Sequence, residues 1–132
     1  MPDKLKYVEY WLQSAQADKE TMEILFTNKQ YSWTLFLGHL VIEKTLKAIF
    51  VQNRDDNVSR IHDLTRLAKM SGIEISEETE DNLDEITTFN INARYSDSKN
   101  RFYHSCTFDY TNHYKQIIEE IYKWLQTLLK PN

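Results

Sequence analysis

Only two glycines and two prolines interrupt this chain of 132 residues, and both prolines, Pro2 and Pro131, stand at its extreme ends. Proline removes a helical hydrogen bond and glycine loosens the backbone, so a sequence nearly free of both can run long helices with few breaks. Hydrophobic spacing agrees: apolar residues recur at steps of three and four over about 4–28, 32–53, 62–71, 76–94 and 109–129. These stretches predict an all-α fold. It is a single up-and-down bundle of about five helices, four long and one short, with residues 1–132 forming one domain.

The first stripe carries Leu5, Val8, Leu12, Ala15, Met22 and Leu25 or Phe26. The break at Asn28-Lys29-Gln30 is short, which returns the second helix antiparallel beside the first. From Trp33 to Ile42 that second helix is apolar nearly all round, as a central, buried helix must be. Gly38 inside it costs about 1 kcal/mol against Ala, a cost offset if a neighbouring helix approaches closely there. The polar run 52–60 is the first true loop. His62 and Asp63 begin the short third helix, where capping is their default role, and Gly72 stops it. Ser76 caps the fourth, which turns Leu83, Ile86, Phe89 and Ala93 inward. After a polar turn at 96–100, the segment 101–106 fits no clean period. The last helix presents Tyr110, Tyr114, Ile117, Ile118, Ile121, Leu125 and Leu128 as one stripe before Pro131 closes it.

Several kinds of chemistry are thin or absent. A net charge of -4 argues against a broad basic surface coating duplex nucleic acid, leaving only local basic patches. Cys106 is the single cysteine, so no disulfide forms within the chain, and a buried thiol is expected in preference to a nucleophile. The start, Met1-Pro2-Asp3-Lys4-Leu5-Lys6, lacks the apolar run of a signal peptide, and the strongly apolar stretch 35–42 is far short of a membrane span. A cytoplasmic protein with no membrane partner is expected, and the Asn57-Val58-Ser59 sequon reads as coincidence. No Glu is followed by His three residues on, as a di-iron bundle requires, and His104-x-Cys106 with His113 lacks the paired thiolates of a zinc site. No metal and no cofactor are expected. Two glycines cannot write a P-loop or a dinucleotide fingerprint.

Against this background the charges set into the second helix stand out. Phe36, Leu40, Glu43, Lys47 and Phe50 share a face that is apolar except for Glu43 and Lys47. An exposed pair at this spacing contributes only about 0.2–0.5 kcal/mol, whereas burying either charge alone costs several. Two arrangements are open. Either the Lys snorkels and the Glu is solvated, or the two meet at the edge of the core and are joined there by a partner from elsewhere, Arg94 being one.

Three segments in order are informative: Ile42-Glu43-Lys44-Thr45-Leu46-Lys47-Ala48 closing an apolar helix, His62-Asp63-Leu64 at a helix start, and Ala93-Arg94-Tyr95 after a fourth helix. Together they resemble the HEPN domain, over nearly the whole chain. The resemblance implies an up-and-down helical bundle, frequent homodimers, and a biology around nucleotides and RNA, commonly with a minimal nucleotidyltransferase in a toxin-antitoxin or two-part system. It also implies a second possibility, because one branch consists of metal-independent ribonucleases that use an Arg, four to six intervening residues, and a His. From Arg94 that spacing reaches Lys99, Asn100 and Arg101, none of them His, and His104 follows Arg101 after only Phe102 and Tyr103. The ribonuclease signature is not met.

The leading expectation is therefore a non-catalytic binding and assembly module, a homodimeric partner of a nucleotidyltransferase that holds a nucleotide or a single-stranded RNA end. Its candidate binding residues are Glu43, Lys44, Lys47, Arg94, Tyr95, Arg101 and Tyr103, the cations meeting phosphate and a tyrosine stacking a base. The alternative is a ribonuclease toxin in which Arg94 and His104 converge on one phosphate, through the loop between them or across a dimer.

Overall fold

The structure is a computed structural model that describes residues 2–54 and 61–130. Among these, six helices follow one another: α1 (Pro2–Thr27), α2 (Tyr31–Arg54), α3 (Leu64–Met70), α4 (Glu77–Arg94), α5 (Ser96–Ser105) and α6 (Phe108–Thr127). No strand occurs among the described residues. The sequon at 57–59, most of the expected loop 52–60, and Pro131 lie outside them.

The near-continuous apolarity of α2 makes it the hub. It packs against α1, α3, α4, α5 and α6, and Leu35, Val41, Ile42, Leu46, Ala48 and Ile49 are wholly enclosed. Against them lie Ala15 and Met22 of α1, Leu64 and Leu67 of α3, Leu83, Ile86 and Phe89 of α4, and Ile118 and Leu125 of α6. The expected stripe of α4 is thus buried, while in that of α6 Ile118, Ile121 and Leu125 are buried, Tyr110, Tyr114 and Ile117 partly so, and Leu128 at the C-cap is exposed. Gly38 does admit a close neighbour: a Cβ built there would stand 2.5 Å from Ile118 Cδ1 and 3.3 Å from Met22 Sδ. The α1–α2 hairpin turns through Lys29 with φ 62°, closed by Gln30 N–H to Leu25 O at 2.8 Å and Lys29 N–H to Phe26 O at 3.0 Å. This is the left-handed helix ending that glycine usually occupies.

The expected caps are in place. Asp63 accepts from Arg66 N–H at 3.2 Å and Ser76 from Thr79 N–H at 3.1 Å. Gly72, at φ 81°, ends α3 with its N–H on Lys69 O and that of Ile73 on Ala68 O. The end of α3 is also clasped from α2, by Asn53 Nδ2 donating to Ser71 O at 2.9 Å and Arg54 Nε to Met70 O at 2.7 Å.

The count of helices differs from the expectation of about five. Residues 96–105, expected as a turn followed by an aperiodic stretch, form α5. Its only buried residues among those described are Phe102, with Cys106 at the C-cap, a single pair four residues apart. One such pair pins a helix to a bundle but is too little to produce a readable period.

Candidate functional site

Two polar arrangements depart from an ordinary bundle, and the first lies along α2. His39, Glu43 and Lys47 follow at steps of four, so their side chains stack on one face of the helix. Lys47 Nζ donates to Glu43 Oε2 at 3.0 Å, and His62, arriving from the segment before α3, places Nδ1 2.9 Å from Glu43 Oε1. Glu43 and Lys47 are 4 % and 7 % exposed, so neither charge is solvated. Lys47 also lies over the Trp11 ring, 5.1 Å from its centroid. His39 is fully enclosed beside the His62 backbone, with Nε2 3.4 Å from Glu43 Oε1, and neither ring nitrogen is well aligned for a hydrogen bond. Burial holds His39 below the usual histidine value, against the pull of the Glu43 charge. Burial pushes the Glu43 carboxyl up, but the His62 bond and the neighbouring cationic groups outweigh it and hold it below the usual carboxylate range.

The second arrangement is a cleft of about 320 Å³ where the start of α2 meets α5. Its walls are Tyr31, Ser32 and Trp33 on one side and Lys99, Phe102 and Tyr103 on the other. Lys99 Nζ stands over the Trp33 ring at 5.6 Å, and Trp33 and Tyr103 are 40 % and 63 % exposed. Gln30 accepts the first helical bond of α2, from Thr34, so residues 31–33 form the first turn and their N–H groups have no intrahelical partner. A positive helix end, an ammonium and two accessible aromatic faces therefore converge on one hollow.

A family model described as the HEPN domain matches residues 8–128. The chain belongs to the HEPN domain family. Neither a curated protein nor a solved structure matches it significantly. HEPN domains are helical modules associated with nucleotides and RNA, and the six helices here agree with that class. No helix among the described residues is long and apolar enough to cross a membrane.

Within this HEPN domain the residues singled out from sequence fall in three places. Glu43 and Lys47 belong to the buried ladder. Lys44 faces α1, its ammonium 2.7 Å from Asp18 Oδ2. Arg94, Tyr95, Arg101 and Tyr103 are spread from the end of α4 along α5, with Tyr103 in the cleft and Arg101 beside a separate hollow that also touches Phe102. Arg94 is exposed and donates to Asn90 Oδ1 at 3.2 Å, so it is not the partner of Glu43. That partner is His62, which sequence reasoning had left as a cap. Two contributors were missed altogether. Lys99 and Trp33 lie far apart in sequence, and only the unforeseen α5 brings them together. The loop through which Arg94 and His104 were to converge is instead α5, and about 13 Å of helix stands between them at 1.5 Å per residue. Cys106 is buried, and that burial pushes its thiol up to about 12, which suits packing and not nucleophilic attack.

Proposed function

We propose that this HEPN domain is a nucleotide- and RNA-binding assembly module whose ligand enters the cleft between the start of α2 and α5. The observation that carries this reading is the convergence in one hollow of the α2 N-terminus, Lys99, and the Trp33 and Tyr103 rings. N–H groups without intrahelical partners at a helix start and a lysine suit a phosphate, and exposed aromatic faces suit a base regardless of its identity. The volume of about 320 Å³ falls at the small end of ligand pockets. Of the binding residues expected from sequence, Tyr103 lines this cleft, whereas Glu43, Lys44 and Lys47 are engaged with other side chains of the bundle.

The module acts as a homodimer and as the partner of a minimal nucleotidyltransferase, a role for which the family supplies the precedent. Ile91 and Tyr95, four residues apart at the end of α4 and 54 % and 63 % exposed, are the apolar surface on which such assembly would rest.

Calorimetry and tryptophan fluorescence with nucleoside phosphates and short single-stranded RNA test the cleft. Binding is expected with a fluorescence change that disappears in Trp33→Phe and an affinity about tenfold weaker in Lys99→Ala, as loss of one charge-assisted contact implies. Absence of binding, or binding indifferent to Lys99→Ala and Tyr103→Ala, would refute the reading.

A further inference from the structure

A second hollow, of about 500 Å³, lies on the other side of α5 from the aromatic cleft, lined by Glu85, Asn92, Arg101, Ser105 and Tyr110. Phe102, 6 % exposed, forms a wall of both. The helical repeat accounts for the division. Lys99 and Tyr103 are four apart and face the cleft, while Arg101 and Ser105, also four apart, lie about 200° further round the helix. The end of α4 serves both sides too, with Ala93 in the cleft and Asn92 in the hollow.

The two hollows differ in what they can recognise. In the second, the Tyr110 hydroxyl donates to Glu85 Oε2 at 2.6 Å. Burial and the Glu85 charge push the Tyr110 ionisation far up, so this phenol stays a donor. One such bond uses one of about four lone-pair sites on a carboxylate, leaving Glu85 able to accept more. A carboxylate repels phosphate and selects a hydroxyl or amino donor. Beside it, Arg101, Asn92 and Ser105 offer a cation, an amide and a hydroxyl within the same walls. Ribose brings a 2′-hydroxyl that deoxyribose lacks, and this is the group by which a protein distinguishes RNA from DNA at a given position.

We propose that single-stranded RNA crosses α5 with one base in the aromatic cleft and the ribose of an adjoining nucleotide in the second hollow, where Glu85 accepts its 2′-hydroxyl and so sets a preference for RNA over DNA. The proposal rests on the cleft being a nucleotide site. With side chains α5 is about 10 Å across, a span that a few nucleotides bridge.

The test is a fluorescence-anisotropy titration of the full chain with a labelled RNA hexanucleotide and a series carrying a single 2′-deoxy substitution stepped along it. In the native protein one position is expected to cost about fivefold or more in affinity, and in Glu85→Ala that position-specific cost vanishes. A flat scan in the native protein, or the same cost retained in Glu85→Ala, overturns the assignment. Thermal melts report whether Glu85→Ala folds. If it does not, Glu85→Gln, which still accepts from Tyr110 but has lost its charge, must shrink the cost at that position, and an unchanged cost counts against the proposal. A nucleoside monophosphate titration separates the two readings. Lys99-dependent binding of the mononucleotide together with a flat deoxy scan defeats the ribose assignment alone, and absence of binding by both ligands defeats the cleft as well.

Discussion

His39 is an imidazole enclosed in the middle of a helical bundle, one turn before a buried carboxylate and beside the His62 backbone, with no well-aligned hydrogen bond at either ring nitrogen. The ionisable groups that face it are Glu43, Lys47 and His62. Because burial lowers its native pKa below the unfolded value of 6.5, the unfolded chain takes up a proton in this window that the native state refuses. Stability therefore falls as pH drops through 6.5. Glu43 has the same sign lower down: its native value lies below 4.5, so its contribution is complete above that pH and is lost as pH falls through the native value. The melting temperature is expected to fall between about pH 7 and about pH 5, with His39→Leu flattening the slope over that interval and leaving the fall at lower pH. Equal midpoints at the two pH values in the native protein, or an unaltered slope in His39→Leu, would contradict this. The ladder His39-x-x-x-Glu43-x-x-x-Lys47 was there to be read from spacing alone, and two of its three members were. His62 was not, since a histidine beside an aspartate at a helix start suits a cap equally well. Only packing assigns the cap to Asp63 and frees His62 to reach across to α2.

Among the elements, α2 was legible because its apolar run is long, and α5 was not because, among its described side chains and its C-cap, one buried pair anchors it. Gly38 shows how far local reasoning reaches. Its presence in a buried helix signalled a close approach, and the approaching atom is Ile118 Cδ1 of α6. Gly38→Ala gains about 1 kcal/mol of helix propensity but forces a crowded core to yield, which costs about 1–3 kcal/mol. A net loss of about 1 kcal/mol in urea denaturation is expected. Ile118→Val removes the offending methyl. It should cost about 1 kcal/mol in the parent and nothing, or less than nothing, in the Gly38→Ala background. Additive effects in this double-mutant cycle would show that the two sites are not in contact. The aromatic cleft could not be found the same way, because one of its walls belongs to α5.

For the whole molecule, the resemblance to the family was legible in three short segments in register, and four of their residues serve the fold itself: Glu43 and Lys47 balance each other, Asp63 caps α3, and Ala93 packs. The proposed dimer belongs to this scale. Sedimentation equilibrium of the purified chain at micromolar concentration is expected to give twice the protomer mass of 15.8 kDa, and Ile91→Asp is expected to return it to one. A stable interface needs about 800 Å² from each partner, so a charge placed at its centre should suffice. A protomer mass at all concentrations would remove the dimer while leaving the cleft untouched. The clasp of Asn53 and Arg54 on the final carbonyls of α3 has its own consequence. It fixes where the short helix docks from the two anchor points themselves, so the orientation of α3 on the hub does not have to be encoded in the stretch of chain that joins them.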